Sequence, residues 1–240
     1  MALTDLFKKH GAPSCAAVIV AAGSSTRMGS DKLSASLGGL PVLVRTLQAF
    51  ESSDSISEIV VVTRMEKVAD VAELCRQNGI SKISKVVAGG KTRMESSLIG
   101  VSAVKPSAKL IAIHDAARPL VSGALIKRVV AAAASSMAAV PVLPSTDTLK
   151  VVGADDRIVG TADRESIYRV QTPQVFDATL IKGALTKAAE KGLSLSDDSA
   201  AMDMTGFKTC TVAGEEDNIK ITTPRDLMIA ELLLKSRGEA

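Results

Sequence analysis

Unbroken apolar runs alternate with amphipathic stretches along the first 145 residues. Residues 16–20, 59–62, 110–113 and 138–143 are almost purely apolar, and 82–88 has strand character. Short continuous runs of this kind mark strands buried on both faces of a sheet. Between them lie helical patterns. Residues 65–78 carry Val68, Val71, Ala72 and Cys75 at helical spacing, with Gly79 placed to end the helix. Residues 93–104 follow the same period and stop before Pro106, and 123–137 follow Ser122, an N-cap residue. The alternation predicts an α/β fold, a Rossmann-like, mostly parallel sheet with helices on both faces.

Residues 145–176 break this pattern. Residues 148–152 and 157–159 read as the two sides of a hairpin around Gly153, Ala154, Asp155 and Asp156. A segment so short has little core of its own. It is expected to be an inserted β-arm, packed on a second subunit or folded as a flap over the site. A helix at 177–191, a strand at 208–212 and a last helix opening at Pro224 follow. The chain is read as one domain over 1–240, with the arm at about 145–176.

Composition narrows the function. The 240 residues are 46% hydrophobic and 23% charged with a net charge of +3, an ordinary globular balance. One Tyr, four Phe and no Trp leave little for bases to stack on, so a nucleic-acid partner is not expected. Cys15, Cys75 and Cys210 are far apart and odd in number, which suits reduced thiols and a cytoplasmic location. The N-terminal stretch has no apolar core of a secretory signal, and no apolar run approaches the roughly 20 residues of a membrane span.

The candidate chemistry begins where the first strand ends. Ala21, Ala22 and Gly23 open a small-residue loop that carries Arg27 and Lys32. Such a loop exposes backbone N–H groups to a phosphate, and the two cations can neutralise a polyphosphate. It is not a dinucleotide fingerprint, since Ser25 and Met28 stand where glycines are required. A Walker A loop ending at Gly90, Lys91 and Thr92 would need its first glycine at Lys85. No G-x-S-x-G supports a serine hydrolase. With only His10 and His114, a histidine-rich metal centre is excluded. Further polar groups follow the other predicted strands: Gly89 to Arg93, then Asp115 and Arg118, then Thr146, Asp147 and Thr148. Ligands of open α/β sheets bind beyond the carboxyl ends of the strands, so four such ends converging on one edge predict a site. Asp115, a carboxylate after a buried strand, suits Mg²⁺ or a ribose hydroxyl.

Several motifs occur together in order. They are Ala21, Ala22 and Gly23 with Arg27, Met28 and Lys32; Gly89 and Gly90 with Arg93 and Ser96; and the run His114, Asp115, Ala116, Ala117, Arg118, Pro119. Thr148, then Asp163 with Arg164, Thr172 with Pro173 and Gln174, Ser196 with Asp197 and Asp198, and the run from Asp217 to Thr222 complete the set. On these residues the chain resembles the 2-C-methyl-D-erythritol 4-phosphate cytidylyltransferase family, over about residues 14–235. The resemblance implies the nucleotide-diphospho-sugar transferase type of fold and transfer of CMP from CTP to methylerythritol phosphate. It implies Arg27 and Lys32 as catalytic cations on the triphosphate. It places Ala21, Ala22, Gly23, Gly90, Ser96, Asp115 and Ala116 at the nucleotide, with Asp115 near the ribose or an Mg²⁺ cofactor. Arg118, Thr148, Arg164, Thr172, Ser196 and Lys220 would form the acceptor pocket, Arg164 reaching it from the other subunit of a homodimer. Ser196 stands where a threonine is frequent and keeps the hydroxyl. The nearest alternative is a ribitol-5-phosphate cytidylyltransferase, which shares the CTP half; Ala116, Ala117 and residues 161–164 favour the methylerythritol enzyme.

Overall fold

The computed structural model of the chain describes residues 14–23 and 31–239. In chain order it runs β1 (Cys15–Val20), a small hairpin of β2 (Ser36–Leu37) and β3 (Leu40–Pro41), α1 (Val42–Glu51), β4 (Glu58–Thr63) and α2 (Val68–Gln77). Then come β5 (Ile83–Ala88), α3 (Arg93–Ala103), β6 (Leu110–Asp115), α4 (Gly123–Ser136) and β7 (Ala138–Pro144). The arm strands β8 (Lys150–Val152) and β9 (Ile158–Thr161) precede β10 (Tyr168–Val170), β11 (Gln174–Asp177) and α5 (Ala178–Glu190). A short α6 (Ser199–Asp203), β12 (Cys210–Ala213) and α7 (Pro224–Ser236) close the chain.

The central sheet has eight strands. β1 lies between β4 and β6, parallel to both, and β5 extends the sheet beyond β4. The chain therefore winds outward from β1 in one direction and returns to start β6 on its other side. That reversal is a topological switch point, and it leaves a crevice at the carboxyl ends of β1 and β6. The apolar runs form strands because both faces are covered. Alternate residues of a strand point to opposite faces. Ala17 and Ile19 pack with Ile59 and Val61 against α1, α2 and α4. Val18, Val60 and Val62 face the other way, onto α3, α5 and α6. Gly100 on α3 lets that helix approach closely, since a side-chain carbon there would run into Val18 and Val62. A third cluster seats α7 on the β2–β3 hairpin through Leu37, Val42, Ala230 and Leu234.

Two segments depart from the sequence reading. β10 and β11 lie inside residues 145–176, yet both join the main sheet, antiparallel to β7. Val142 pairs with Val170 on one side and Ala213 on the other, while Ala139 pairs with Val175 and Cys210. β10 and β11 thus occupy the same side of β7 as one strand interrupted at Gln171, Thr172 and cis-Pro173. β11 also pairs with β6. The separate hairpin is only β8 and β9, turned at Asp156 with a left-handed φ of 58°. The second departure is α1, with Val42, Leu43, Leu47 and Phe50 buried. Residues 33–55 contain this amphipathic spacing without a predicted element. Elsewhere the reading holds. Ser122 caps α4, and Met137 ends it in the left-handed region. Residues 65–67 form a single 3₁₀ turn ahead of α2. Thr223 and Asp226 form a capping box around Pro224 at the start of α7.

Candidate active site

At the switch point a cleft of about 370 Å³ is lined by Ala22, Gly23, Gly90, Lys91, Arg93, Ser96, Asp115 and Lys220, among others. Three strand ends supply all of these groups but Lys220: β1 the small residues, β5 the loop into α3, and β6 the carboxylate. The fourth predicted end does not. Residues 146–148 leave β7 exposed and lead into the arm, away from the lining of this cleft.

Close packing shapes the first two walls. A side-chain carbon on Gly89 would sit 2.6 Å from the Ala22 methyl and 2.7 Å from Ser96 Oγ, so only glycine lets the two loops touch. The turn into α3 is held by its own side chains. Thr92 Oγ1 accepts from Glu95 N–H at 3.1 Å, and Glu95 Oε2 accepts from Lys91 N–H at 2.7 Å. The buried Ser96 hydroxyl donates to Thr92 C=O at 2.9 Å and accepts from Gly90 N–H at 3.2 Å. These amides are consumed locally, so this helix start shapes the wall with its backbone. Ser96 holds the loop that Gly90 presents.

The floor is a row of alternating charges. Asp115 Oδ2 accepts from Lys220 Nζ at 2.7 Å. Its Oδ1 takes Arg93 Nε and Nη2, each at 3.1 Å. Arg93 Nη2 also lies 2.8 Å from Asp198 Oδ2. Burial by itself would raise the Asp115 carboxyl, but Arg93 and Lys220 outweigh it and hold Asp115 well below the usual carboxylate range. Asp115 is therefore ionised under any physiological condition. Behind it, Thr172 Oγ1 accepts from Asp115 N–H at 3.1 Å and lies 3.0 Å from His114 Nδ1. His114 Nε2 lies 3.2 Å from Arg118 C=O. One proton arrangement satisfies all three contacts: Thr172 donates to Nδ1, and Nε2–H donates to the carbonyl. Burial lowers the His114 pKa to about 3, more than the Asp115 charge raises it. The ring is neutral, and it packs at 4.8 Å between centroids on Phe50.

The predicted site residues divide accordingly. Ala22, Gly23, Gly90, Ser96, Asp115 and Lys220 meet in the cleft. Ala21 and Ala116 are buried beside it and serve through their backbones, Ala21 N–H donating to Val62 C=O and Ala116 N–H to Val20 C=O. Arg118 turns away and donates from Nη1 to Asn218 C=O at 2.7 Å, tying the β6 loop to the strand of chain that carries Lys220. Thr172 is 4% exposed, and its hydroxyl is spent on Asp115 and His114 rather than open to a ligand. Thr148, Arg164 and Ser196 are exposed and line no part of the cleft. Lys32 is half-buried in the turn at 31–34, which Asp31 anchors through Arg64 at 3.0 Å. Arg27 lies outside the described residues. Missing from the predicted roles are Arg93 and Asp198, both central to the floor. Their signal was present: an arginine opening a helix just after a Gly-Gly strand end, and an Asp-Asp pair ahead of a short helix.

Among the described residues no three acidic, cysteine or histidine side chains cluster to cage a metal. Among the described residues that line the cleft, Asp115 is the one carboxylate. That donor set fits Mg²⁺ carried on a nucleotide's phosphates, since this ion commonly takes one or two carboxylates and fills its remaining positions with phosphate oxygens and water.

An α/β sheet with a switch-point cleft, lined by Lys91, Arg93 and Lys220 around one ionised carboxylate, suits a nucleotide's phosphates, as a nucleotidyltransferase requires. The sequence profile of 2-C-methyl-D-erythritol 4-phosphate cytidylyltransferase matches residues 15–236. The chain belongs to this family. A relative of that name from Caldanaerobacter subterraneus is 43% identical over 226 residues, covering 91% of this chain and 98% of the relative. One from Halalkalibacterium halodurans is 40% identical, covering 92% and 96%. The solved 4-diphosphocytidyl-2C-methyl-D-erythritol synthase of Anaerococcus prevotii is 31% identical, with a TM-score of 0.83 over 93% of this chain and 97% of that one. The Thermus thermophilus enzyme is 33% identical, with a TM-score of 0.74 over 91% and 98%.

Proposed function

We propose that this enzyme transfers the cytidylyl group of CTP to the phosphate of 2-C-methyl-D-erythritol 4-phosphate and releases pyrophosphate. The observation that carries the reading is the cationic cleft around Asp115, in a chain whose family membership favours this acceptor over ribitol 5-phosphate. An acceptor phosphate oxygen attacks the α-phosphorus of CTP. The new P–O bond forms as the bond from the α-phosphorus to the bridging oxygen of pyrophosphate breaks. No covalent intermediate on the enzyme is needed. Catalysis of this kind is positioning and charge stabilisation, and two polyanions must be brought together. Gly23, Gly90 and the buried Ser96 frame the base and ribose side. Arg27 and Lys32 act on the triphosphate and the developing charge. Lys220, already beside Asp115, is the cation nearest to the acceptor phosphate. Mg²⁺ arriving with the nucleotide would be held by Asp115 and would offset phosphate charge.

The arm supplies the remaining acceptor contacts, and the enzyme acts as a homodimer. Leu149, Val151, Val152, Ile158 and Val159 lie exposed on the hairpin, each at least 40% accessible. So large an apolar surface on two short strands suits a protein partner. Arg164 follows the hairpin and reaches the second subunit's cleft. Buried, free Cys15 and Cys75 suit a reducing, cytoplasmic setting. No helix among the described residues is long and apolar enough to cross a membrane. The test is pyrophosphate release with CTP and Mg²⁺, comparing methylerythritol 4-phosphate with ribitol 5-phosphate. Release with the first alone is expected. Release with ribitol 5-phosphate alone, or with neither, overturns the proposal.

A further inference from the structure

We infer that Asp198 and Gln174 are positioning residues: together they fix the Arg93 guanidinium, which sets the orientation of the Asp115 carboxylate at the nucleotide cleft. The inference rests on reading this cleft as the site of cytidylyl transfer.

Gln174 is completely buried on β11, and its side chain is used at both ends. Nε2 donates to Asp197 Oδ2 at 2.8 Å. Oε1 accepts from the N–H groups of Asp198 at 3.1 Å and Ser199 at 3.0 Å. Asp197 in turn accepts from the Ser199 hydroxyl at 2.7 Å and from Ala200 N–H at 3.1 Å. One side chain of a central strand therefore bolts the loop at 197–200 to the sheet. The loop carries Asp198, only 1% exposed, into contact with Arg93.

Arg93 is then gripped from two sides. Nη2 lies at ion-pair distance from both Asp198 Oδ2 and Asp115 Oδ1, and Nε donates to Asp115 Oδ1. A guanidinium is a rigid planar fork, so two carboxylates on one edge fix its plane. With Asp115 as its only partner, the long Arg93 side chain would be free to swing toward an incoming triphosphate. Asp115 would then follow Lys220 alone. Asp198 also offsets the charge of Arg93, so Asp115 is not dominated by two cations. Burying a second carboxylate is costly in solvation, and burial pushes the Asp198 carboxyl up while Arg93 opposes it. A loop that only needed to fill space would carry an apolar residue there. Neither Gln174 nor Asp198 lines the cleft, so both act through Arg93.

The test is a double-mutant cycle in the full-length enzyme. Asp198→Asn keeps the shape and removes the charge; kcat for pyrophosphate release is expected to fall about tenfold or more, in the range seen when the partners of site carboxylates are removed. KM for the acceptor should stay within about twofold. In an Arg93→Met background the same substitution should change kcat by less than about twofold, because the residue it acts through is gone. Equal factors in both backgrounds would mean that Asp198 serves only the fold, and would overturn the inference. Should Asp198→Asn fail to fold, Asp197→Asn decides: it loosens the loop at a half-buried position. A kcat lowered about threefold supports the inference, and a kcat equal to the parent's overturns it. The parent is assayed first. If it releases no pyrophosphate, the functional reading fails, and the cycle is read on the Kd for CTP, where the same non-additivity is expected.

Discussion

On the floor of the cleft, Arg93, Asp115, Asp198 and Lys220 hold one another within 3.1 Å. On the arm, Val151, Val152, Ile158 and Val159 are more than half exposed. The first region, as far as the described residues go, is built from one chain. Its charges are mutually neutralised before any ligand arrives, and buried groups behind them hold the backbone. The second has apolar side chains without cover and a cation, Arg164, facing no partner in the cleft of its own chain. The difference divides the molecule: the charged floor is preorganised by the sheet, while the arm leaves its apolar side chains uncovered.

The largest expected effect concerns Arg27, the cation proposed to act on the triphosphate. Arg27→Ala should lower turnover at least ~10²-fold, the scale of removing one charge-stabilising donor from a transition state. Near-normal turnover in steady-state assays would take Arg27 out of the mechanism. Next, Val151→Asp combined with Ile158→Asp should weaken self-association by about 10²-fold or more, as expected where apolar anchors sit at an interface centre. Sedimentation would show monomers whose Kd for CTP is unchanged; an intact dimer would make the arm a flap instead. Arg164→Ala is predicted to raise KM for the acceptor about tenfold, the scale of a lost charge-assisted hydrogen bond, with the Kd for CTP unaltered. An unchanged KM would remove Arg164 from the acceptor pocket. The last effect is on stability and concerns the support behind the floor. His114 titrates at about 3 in the fold against 6.5 ordinarily, so between those values the unfolded chain binds the extra proton. Its contribution is intact above about pH 6.5 and is lost as pH falls, at up to about 1.4 kcal/mol per pH unit. Urea titrations between about pH 7 and 4.5 should show that slope, and His114→Gln should flatten it; identical slopes in the two proteins would argue that the ring is not buried neutral.

Much of this was legible before any coordinates. The apolar runs of β1, β4, β6 and β7 could only be strands covered on both faces. Caps such as Ser122 and the proline of α7 act through neighbours three or four residues away, so sequence spacing reveals them. The convergence of Gly90 and Asp115 was readable because strand ends of a parallel sheet share one edge, whereas Lys220 entered only through the family resemblance. β11 was not readable, since four residues of mixed character acquire their place only by pairing with β6 and β7 at once. The partners of Thr172 were not readable for a similar reason, since only the fold sets its hydroxyl between the Asp115 amide and His114.

The sequence by itself determined the class of fold, the edge on which the site lies and the family to which the chain belongs. The first two follow from local periodicity and from residue types at strand ends, and the third from the ordered motifs that the chain shares with the family. Only the tertiary structure decided which charges meet. Arg93, Asp115, Asp198 and Lys220 span 128 positions of the chain. Their contacts are made by packing two helices and two loops around one strand end, and Coulomb attraction in a buried site depends on those distances rather than on spacing along the chain.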